Sequence, residues 1–321
     1  MKNGPLITII TNTLNRADLI HRCIESIKGQ TYVNYEHIIA DGNSSDNTSE
    51  VVMSYAENDP RIHYLKLDRA GSAYQMAEAV KLARGKYITF LDDDDEYLPE
   101  KLEKQVSLFE TLPQEVGLVY CWMTYYDNEK PDKPIRIHKN THKGFVGDVV
   151  VGEQPLSGTP TLMVRREVID AIGGVFRDDI GIIGSDHEFV SRVTQKYSVD
   201  YVPESLVKVY INHGHNRLQT HGNGKAALEK AVIYHKYFLS EFADVYKRRP
   251  EQAAPHYFSL CRIYARLGDI KSFVENYKNL VKVSKKTKYI LMPIYGLIYY
   301  LDTVGLSGFL KNVYRKYISR P

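Results

Sequence analysis

The sequence predicts an α/β domain built on a parallel sheet, followed by a basic helical extension. Three observations carry that prediction. Strand-like and helix-like runs alternate through the first hundred residues at the spacing of βαβ units. Acidic residues, Asp41 and then Asp92 to Asp95, stand where strand signals end, and ligands bind at strand carboxyl ends in open α/β sheets. After residue 225 the pattern turns helical and rich in Lys and Tyr.

Each element follows from its residues. Leu6 to Thr11 is a short β-branched run, and Ala17 to Lys28 places Leu19, Ile20, Cys23, Ile24 and Ile27 at helical spacing. Tyr35 to Ala40 reads as a second strand, ended by the polar segment Asp41 to Asp46. Asp46 or Thr48 is placed to cap a helix through residue 57. Ile62 to Leu67 is a third strand, Ala73 to Ala83 a helix, and Tyr87 to Leu91 a fourth strand. Right-handed crossovers put the Thr11, Asp41, Arg69 and Asp92 loops along one edge of the sheet. Beyond it, Val116 to Tyr125 and Thr161 to Arg165 read as strands, and Asp127 to Lys143 as loop. Asp186 to Lys196 reads as a helix, and Val199 to Val202 and Ser205 to Ile211 as strands. Residues 252 to 282 form a helical hairpin turning at Gly268-Asp269, similar to one tetratricopeptide unit without a second copy.

At 321 residues, 43% hydrophobic and 25% charged, the chain has an ordinary globular composition. Its net charge of +3 hides an asymmetry. Residues 225 to 321 hold 18 Lys or Arg against 7 Asp or Glu, whereas residues 1 to 224 hold 24 against 32. The first part suits a cation-assisted site and the second an anionic surface. Three scattered cysteines suit reduced thiols in the cytosol, and the N-terminus has no signal-peptide apolar region. Tyr289 to Leu310 is the most apolar window, flanked by basic residues. It suits a buried core helix, an interfacial element on anionic lipid, or a span.

Four consecutive aspartates repel one another unless something positive is held among them. The readings are a divalent cation with oxygen ligands, or a solvated acidic loop opening the next helix.

Taken together, the runs Ile7 to Arg16, Ile38 to Thr48 and Phe90 to Asp95, then Gly173-Gly174-Val175-Phe176 and Ser185-Asp186-His187-Glu188-Phe189, resemble glycosyltransferase family 2. The likeness spans residues 5 to 220. It implies the A-type glycosyltransferase fold, a Rossmann-like mixed sheet, over a catalytic domain at 1–224, and it does not extend over the basic helical domain that pattern and charge place at 225–321. It also implies a nucleotide-diphosphate sugar donor and Mg²⁺ or Mn²⁺. Thr11, Asn15 and Arg16 would line the first nucleotide loop, and Asp41 would accept the imide N–H of uracil. Asp92-Asp93-Asp94 would be the D-x-D element, with Asp92 and Asp93 at the nucleotide-sugar and Asp94 on the metal. Asp95 would sit behind them or cap the following helix. Arg69 would add a cation at the pyrophosphate. Asp186 aligns with the general base, although Ser185 replaces the usual preceding Glu, and Glu188 is the alternative base. His213, or else His215, would stand near metal or phosphate, with Arg217 close by. The chain has Gln75 to Ala79 where relatives carry Ala-x-Asn-x-Gly, and it lacks the Gln-x-x-Arg-Trp motif of processive members.

The expected function is transfer of one sugar with inversion, most simply from a UDP-sugar, onto a saccharide or lipid-linked saccharide acceptor in cell-surface glycan synthesis. The basic tail suggests a cytoplasmic protein held peripherally at the inner face of the cell membrane, with a homodimer through the C-terminal helices as a further use of that tail. Nucleic acid is not an expected partner. The rival readings are a nucleotidyltransferase, against which the first loop lacks both Gly and Lys, and a non-catalytic sugar-nucleotide-binding or assembly protein.

Overall fold

A computed structural model describes residues 4–152, 156–177, 185–212, 214, 224–290 and 293. The chain divides into two compact units, one of Met1–Val150, Gln154–Asp179 and Ser185–Leu218, the other of Val151–Glu153, Ile180–Gly184 and Gln219–Pro321.

The first unit begins with β1 (Ile7–Thr13), α1 (Ile20–Lys28), β2 (Tyr35–Asp41), α2 (Thr48–Ala56), β3 (Ile62–Lys66), α3 (Ser72–Leu82) and β4 (Tyr87–Phe90). After the aspartates come β5 (Glu96–Tyr97), α4 (Lys101–Thr111), β6 (Val116–Asp127) and β7 (Lys130–His138). Then follow α5 (Gly147–Val150), β8 (Met163–Arg165), α6 (Arg166–Ala171), α7 (Ser185–Thr194) and β9 (Ser198–Ile211). One nine-stranded sheet runs in the order β3-β2-β1-β4-β8-β6-β9-β5, with β7 paired to β6. The strands β3, β2, β1 and β4 are mutually parallel, and the register aligns Thr13, Asp41 and Lys66 across one edge. The sheet is mixed because β8 runs antiparallel to both β4 and β6, while β6 and β9 are parallel.

Side-chain alternation divides the core between the two faces of the sheet. Ile10, Ile38, Ile88, Phe90 and Tyr120 face α3, α6 and α7, where they meet Met76, Val168 and Phe189. Ile7, Ile9, Tyr87 and Val119 face α1 and α4, where they meet Cys23, Ile27, Leu102, Val106 and Phe109.

Two features differ from the sequence expectation. The segment read as loop after Asp127 contains β7, whose residues are exposed almost throughout. Its prolines, Pro131 and Pro134, and its lysines mask a strand signal, as edge strands commonly do. The aspartates also do not open a helix. Glu96 and Tyr97 first pair with Lys208 and Val207 of β9, and α4 starts only after Glu100.

The second unit contains α8 (Lys225–Glu241), α9 (Ala243–Arg248), α10 (Ala254–Leu267), α11 (Ile270–Val283) and α12 (Thr287–Ile290). The α10–α11 hairpin turns where the sequence places it. Gly268 takes φ +73°, a left-handed C-cap that glycine adopts without strain, and Asp269 accepts from Ser272 N at 3.0 Å to cap α11. Within this unit His256 Nε2 and Tyr246 Oη both donate to the Val151 carbonyl, at 2.7 and 3.0 Å. Among the described residues no helix is long and apolar enough to cross a membrane. The window Tyr289 to Leu310 lies almost wholly outside the described residues.

Candidate active site

The site lies where β1, β2 and β4 end. Asp41 closes β2 and is fully buried. One carboxylate oxygen accepts from Ser44 N at 2.9 Å and Ser44 Oγ at 2.6 Å, and the other accepts from Tyr64 Oη at 2.6 Å. A carboxylate has about four acceptor positions, so three protein bonds leave room for one ligand N–H. Burial, and then the Asp41 carboxylate, push the Tyr64 phenol well above its usual range, so it stays a donor.

Gln75 braces the loops around this aspartate. Its amide nitrogen donates to Thr13 O at 3.0 Å and Ala40 O at 2.8 Å, and its oxygen accepts from Gly71 N at 3.2 Å. Gly42 is required here because a Cβ would lie 2.9 Å from Ala70 Cα and 3.0 Å from Gln75 Oε1.

The β1 loop is fastened to the β2 loop. Asn15 takes φ +52°, a left-handed conformation that Asn tolerates. Its side-chain oxygen accepts from Ser45 N at 2.7 Å and Asp46 N at 3.3 Å. The next residue, Arg16, is buried. Its guanidinium crosses to the aspartate turn, with Nη1 2.8 Å from Asp94 Oδ2 and 3.4 Å from Asp93 Oδ1.

The four aspartates separate by environment. Asp92 is exposed and Asp94 half-buried, whereas Asp93 and Asp95 are buried. Burial pushes the Asp93 carboxyl up to about 8 against the opposing pull of Arg16, with the Asp94 charge adding to the rise. Asp95 is raised as well, by burial and then by Asp94, and its Oδ1 accepts from Tyr210 N of β9 at 2.9 Å. Ligand oxygens of Asp92, Asp94 and Asp95 lie within 4.8 Å of one another. Three hard oxygen donors this close fit a divalent cation such as Mg²⁺ or Mn²⁺, and among the described residues this is the one cluster of its kind.

Asp186 stands in the first turn of α7, half-buried, with Oδ1 accepting from His187 N at 2.8 Å. Burial raises its carboxyl above the usual range, as suits a group that must accept a proton. Three residues on, Phe189 packs edge-on to Phe90 at 6.1 Å between centroids. That contact docks α7 on the strand that leads into Asp92. His187 donates to Val150 O, and burial holds its imidazole down at about 4, hence neutral.

Several expected roles fall differently. The Thr11 hydroxyl does not line a loop; it lies in the core, 3.0 Å from His37 Nε2 and 3.5 Å from Cys23 Sγ, because β1 continues to Thr13. Asn15 and Arg16 spend side-chain polar groups on the neighbouring loop and the aspartate turn. Asp93 is held on the Arg16 side, and Asp95 joins the cluster instead. Asp95 also caps no helix, since α4 begins at Lys101. Glu188 is fully buried in a two-point ion pair with Arg192, at 2.6 and 2.9 Å. Arg69, by contrast, keeps its expected place in the loop after β3, with its guanidinium 3.8 Å from the Tyr74 ring centroid. His213, His215 and Arg217 lie outside the described residues.

Sequence reasoning passes over Tyr64 and Arg22, and it marks Gln75 only as the start of a departure from the family pattern. Arg22 donates to Asp94 O and, at 2.9 Å, to Asn128 Oδ1, and lies 3.8 Å from the Tyr210 ring centroid. A charged residue beside the apolar stripe of α1 was the only signal for it.

Comparison with known proteins gives a consistent result. The profile of Glycosyl transferase family 2 matches residues 8–173. An uncharacterized glycosyltransferase of Methanocaldococcus jannaschii is 29% identical over 73% of this chain and 78% of its own length. The putative colanic acid biosynthesis glycosyl transferase WcaA of Escherichia coli is 45% identical over 32% of this chain and 37% of its own length. Among solved structures, S. aureus TarS 1-349 in complex with UDP-GlcNAc superposes with a TM-score of 0.67 at 14% identity, covering 97% of this chain and 91% of that one. The mannosyltransferase PcManGT from Pyrobaculum calidifontis, in complex with GDP-Man and Mn²⁺, gives 0.55 at 17% identity over 99% and 89%. These two likenesses speak to the A-type glycosyltransferase fold.

Proposed function

Because the chain belongs to glycosyltransferase family 2 and is thereby a glycosyltransferase, we propose that it transfers a single sugar, with inversion, from a UDP-sugar to a saccharide or lipid-linked saccharide acceptor in cell-surface polysaccharide synthesis. The observation that carries this reading is the pairing of a buried carboxylate with an acceptor position left over, Asp41, with the Asp92, Asp94 and Asp95 cluster on the same sheet edge. Neighbours of the same fold bound to UDP-GlcNAc and to GDP-Man with Mn²⁺ support a nucleotide-sugar donor and a divalent metal.

Asp41 takes the imide N–H of uracil on its remaining acceptor position. Asp94, with Asp92 and Asp95, would hold Mg²⁺ or Mn²⁺, which when bound offsets the charge developing on the departing diphosphate. Arg16 keeps the Asp94 carboxylate in place, and Arg69 supplies a further cation at the edge of the site. Asp186 accepts the proton of the acceptor hydroxyl as that oxygen attacks the anomeric carbon and the nucleoside diphosphate leaves with the bonding electrons. Glu188 is committed to Arg192 and is not the base. We extend the same reading to peripheral attachment at anionic membrane through the basic second unit, and to a homodimer through its helices.

The test is release of UDP from a panel of UDP-sugars in the presence of Mn²⁺. Asp94→Ala and Asp186→Ala should each reduce turnover by at least about 100-fold. Turnover at the wild-type rate in both variants would remove the site assignment.

A further inference from the structure

Lys101, the first residue of α4, is fully buried. Lysine is among the residues least often found inside without a charged partner, and the first turn of a helix disfavours positive charge. Among the described residues no ion pair engages it. Its amine donates to Thr89 Oγ1 at 2.6 Å and lies 3.8 Å from the Tyr97 ring centroid. Burial holds this amine down at about 7.

Its partners bracket the aspartates. Thr89 Oγ1 donates to Leu162 O at 2.6 Å and lies 3.0 Å from Tyr97 Oη, and Tyr97 Oη donates to the carbonyl of Phe90. Phe90 precedes the turn by two residues and Tyr97 follows it by two, so both ends of Asp92–Asp95 close on the same buried cluster. One helical turn on, Gln105 Nε2 donates to Thr161 O at 2.8 Å. Lys101 and Gln105 thus form a polar stripe on α4 that fastens the end of β4 to the segment at 161–162. A methionine would fill the Lys101 site without the cost of burying an amine. The lysine's presence there needs a use.

We propose that Lys101 is a positioning residue for the aspartate turn: through Thr89 and Tyr97 it fixes both ends of the turn, so that the carboxylates of Asp92, Asp94 and Asp95 present a preset arrangement to a divalent cation. The inference rests on the reading of this turn as the metal and donor site. It adds a residue, buried behind the turn, that touches neither metal nor sugar. Supporting residues of this kind typically change metal affinity or activity by about 10- to 100-fold.

The experiment compares full-length wild type, Lys101→Met and Thr89→Val. It uses Mn²⁺ titration without nucleotide, UDP-sugar turnover at saturating Mn²⁺, and thermal melting. Lys101→Met should melt no lower than wild type, bind Mn²⁺ about 10-fold more weakly and turn over at least about 10-fold more slowly. Thr89→Val should show the same Mn²⁺ loss, and the double variant should add little to either. Unchanged Mn²⁺ affinity in a folded Lys101→Met, or a lower melting temperature with unchanged Mn²⁺ affinity, overturns the proposal. Should Lys101→Met fail to fold, unchanged Mn²⁺ affinity in Thr89→Val overturns it equally. If wild type itself neither binds Mn²⁺ nor releases UDP, it is the functional reading that fails.

Discussion

The pair Asp186 and Glu188 offers the most discriminating perturbation, because two carboxylates two residues apart have opposite assignments. Glu188 is fully buried and meets Arg192 through two contacts at 2.6 and 2.9 Å. Arg192 in turn holds the Gly-rich corner after α6, donating to Ile172 O at 3.0 Å, Gly174 O at 2.9 Å and the Val175 carbonyl. Removing one partner of a buried pair costs about 3–5 kcal/mol. The three carbonyls that remain on Arg192 place Glu188→Ala near the lower figure, about 3 kcal/mol. At about 2–4 °C per kcal/mol for a domain of this size, that is a fall in melting temperature of about 6–12 °C. Asp186→Asn should do the reverse. Its carboxyl is half-buried without an ion pair to lose in the described contacts, so the fold should melt at or above the wild-type temperature, while turnover falls by about 10²- to 10⁴-fold. Differential scanning fluorimetry and UDP release on the two variants decide the matter. A Glu188→Ala protein that melts like wild type but is inactive, beside an active Asp186→Asn, would refute the assignment.

Burial raises the Asp186 carboxyl, and the base works deprotonated. The acid limb of kcat/KM should therefore lie above the ordinary carboxylate range and be absent from the residual activity of Asp186→Asn, as a pH–rate profile would show. Gly42→Ala puts a methyl 2.9 Å from backbone at Ala70; it should cost about 1–3 kcal/mol and weaken UDP binding, read by melting and calorimetry. For Lys101, the unfolded chain holds a proton between about pH 7 and 10.5 that the folded chain lacks. The Lys101 contribution to stability, taken as the difference between wild type and Lys101→Met, should therefore rise with pH across that window, by about 1.4 kcal/mol per pH unit at most. The neighbouring Cys121 thiol, pushed up to about 12, and the raised Tyr97 phenol stay uncharged there. The melting advantage of Lys101→Met should accordingly be largest at or below pH 7 and shrink by pH 9.5. Full-length protein should sediment with anionic vesicles and release them as salt rises; no binding at low salt would end the membrane proposal.

The sequence by itself determined the parallel strands, the loop edge they share, and the residues chemistry requires there. Hydrophobic period and acidic punctuation are local signals: Asp41 and Asp92 to Asp95 end strands, and Gly268-Asp269 turns a hairpin, whatever surrounds them. It could not divide the aspartates among themselves. Successive residues in a turn face different surroundings, and only the packed neighbours decide which carboxyl meets Arg16, which meets Tyr210 of β9, and which remain for a cation. For the same reason only the resemblance ranks Asp186 above Glu188 in the sequence, and the Arg192 pair that occupies Glu188 exists only in the fold. The bracing roles of Gln75, Arg22 and Lys101 are silent in sequence because their side chains bond to other elements, as far as 62, 106 and 12 residues away. A buried polar group reveals its use only when the chain that satisfies it has folded around it.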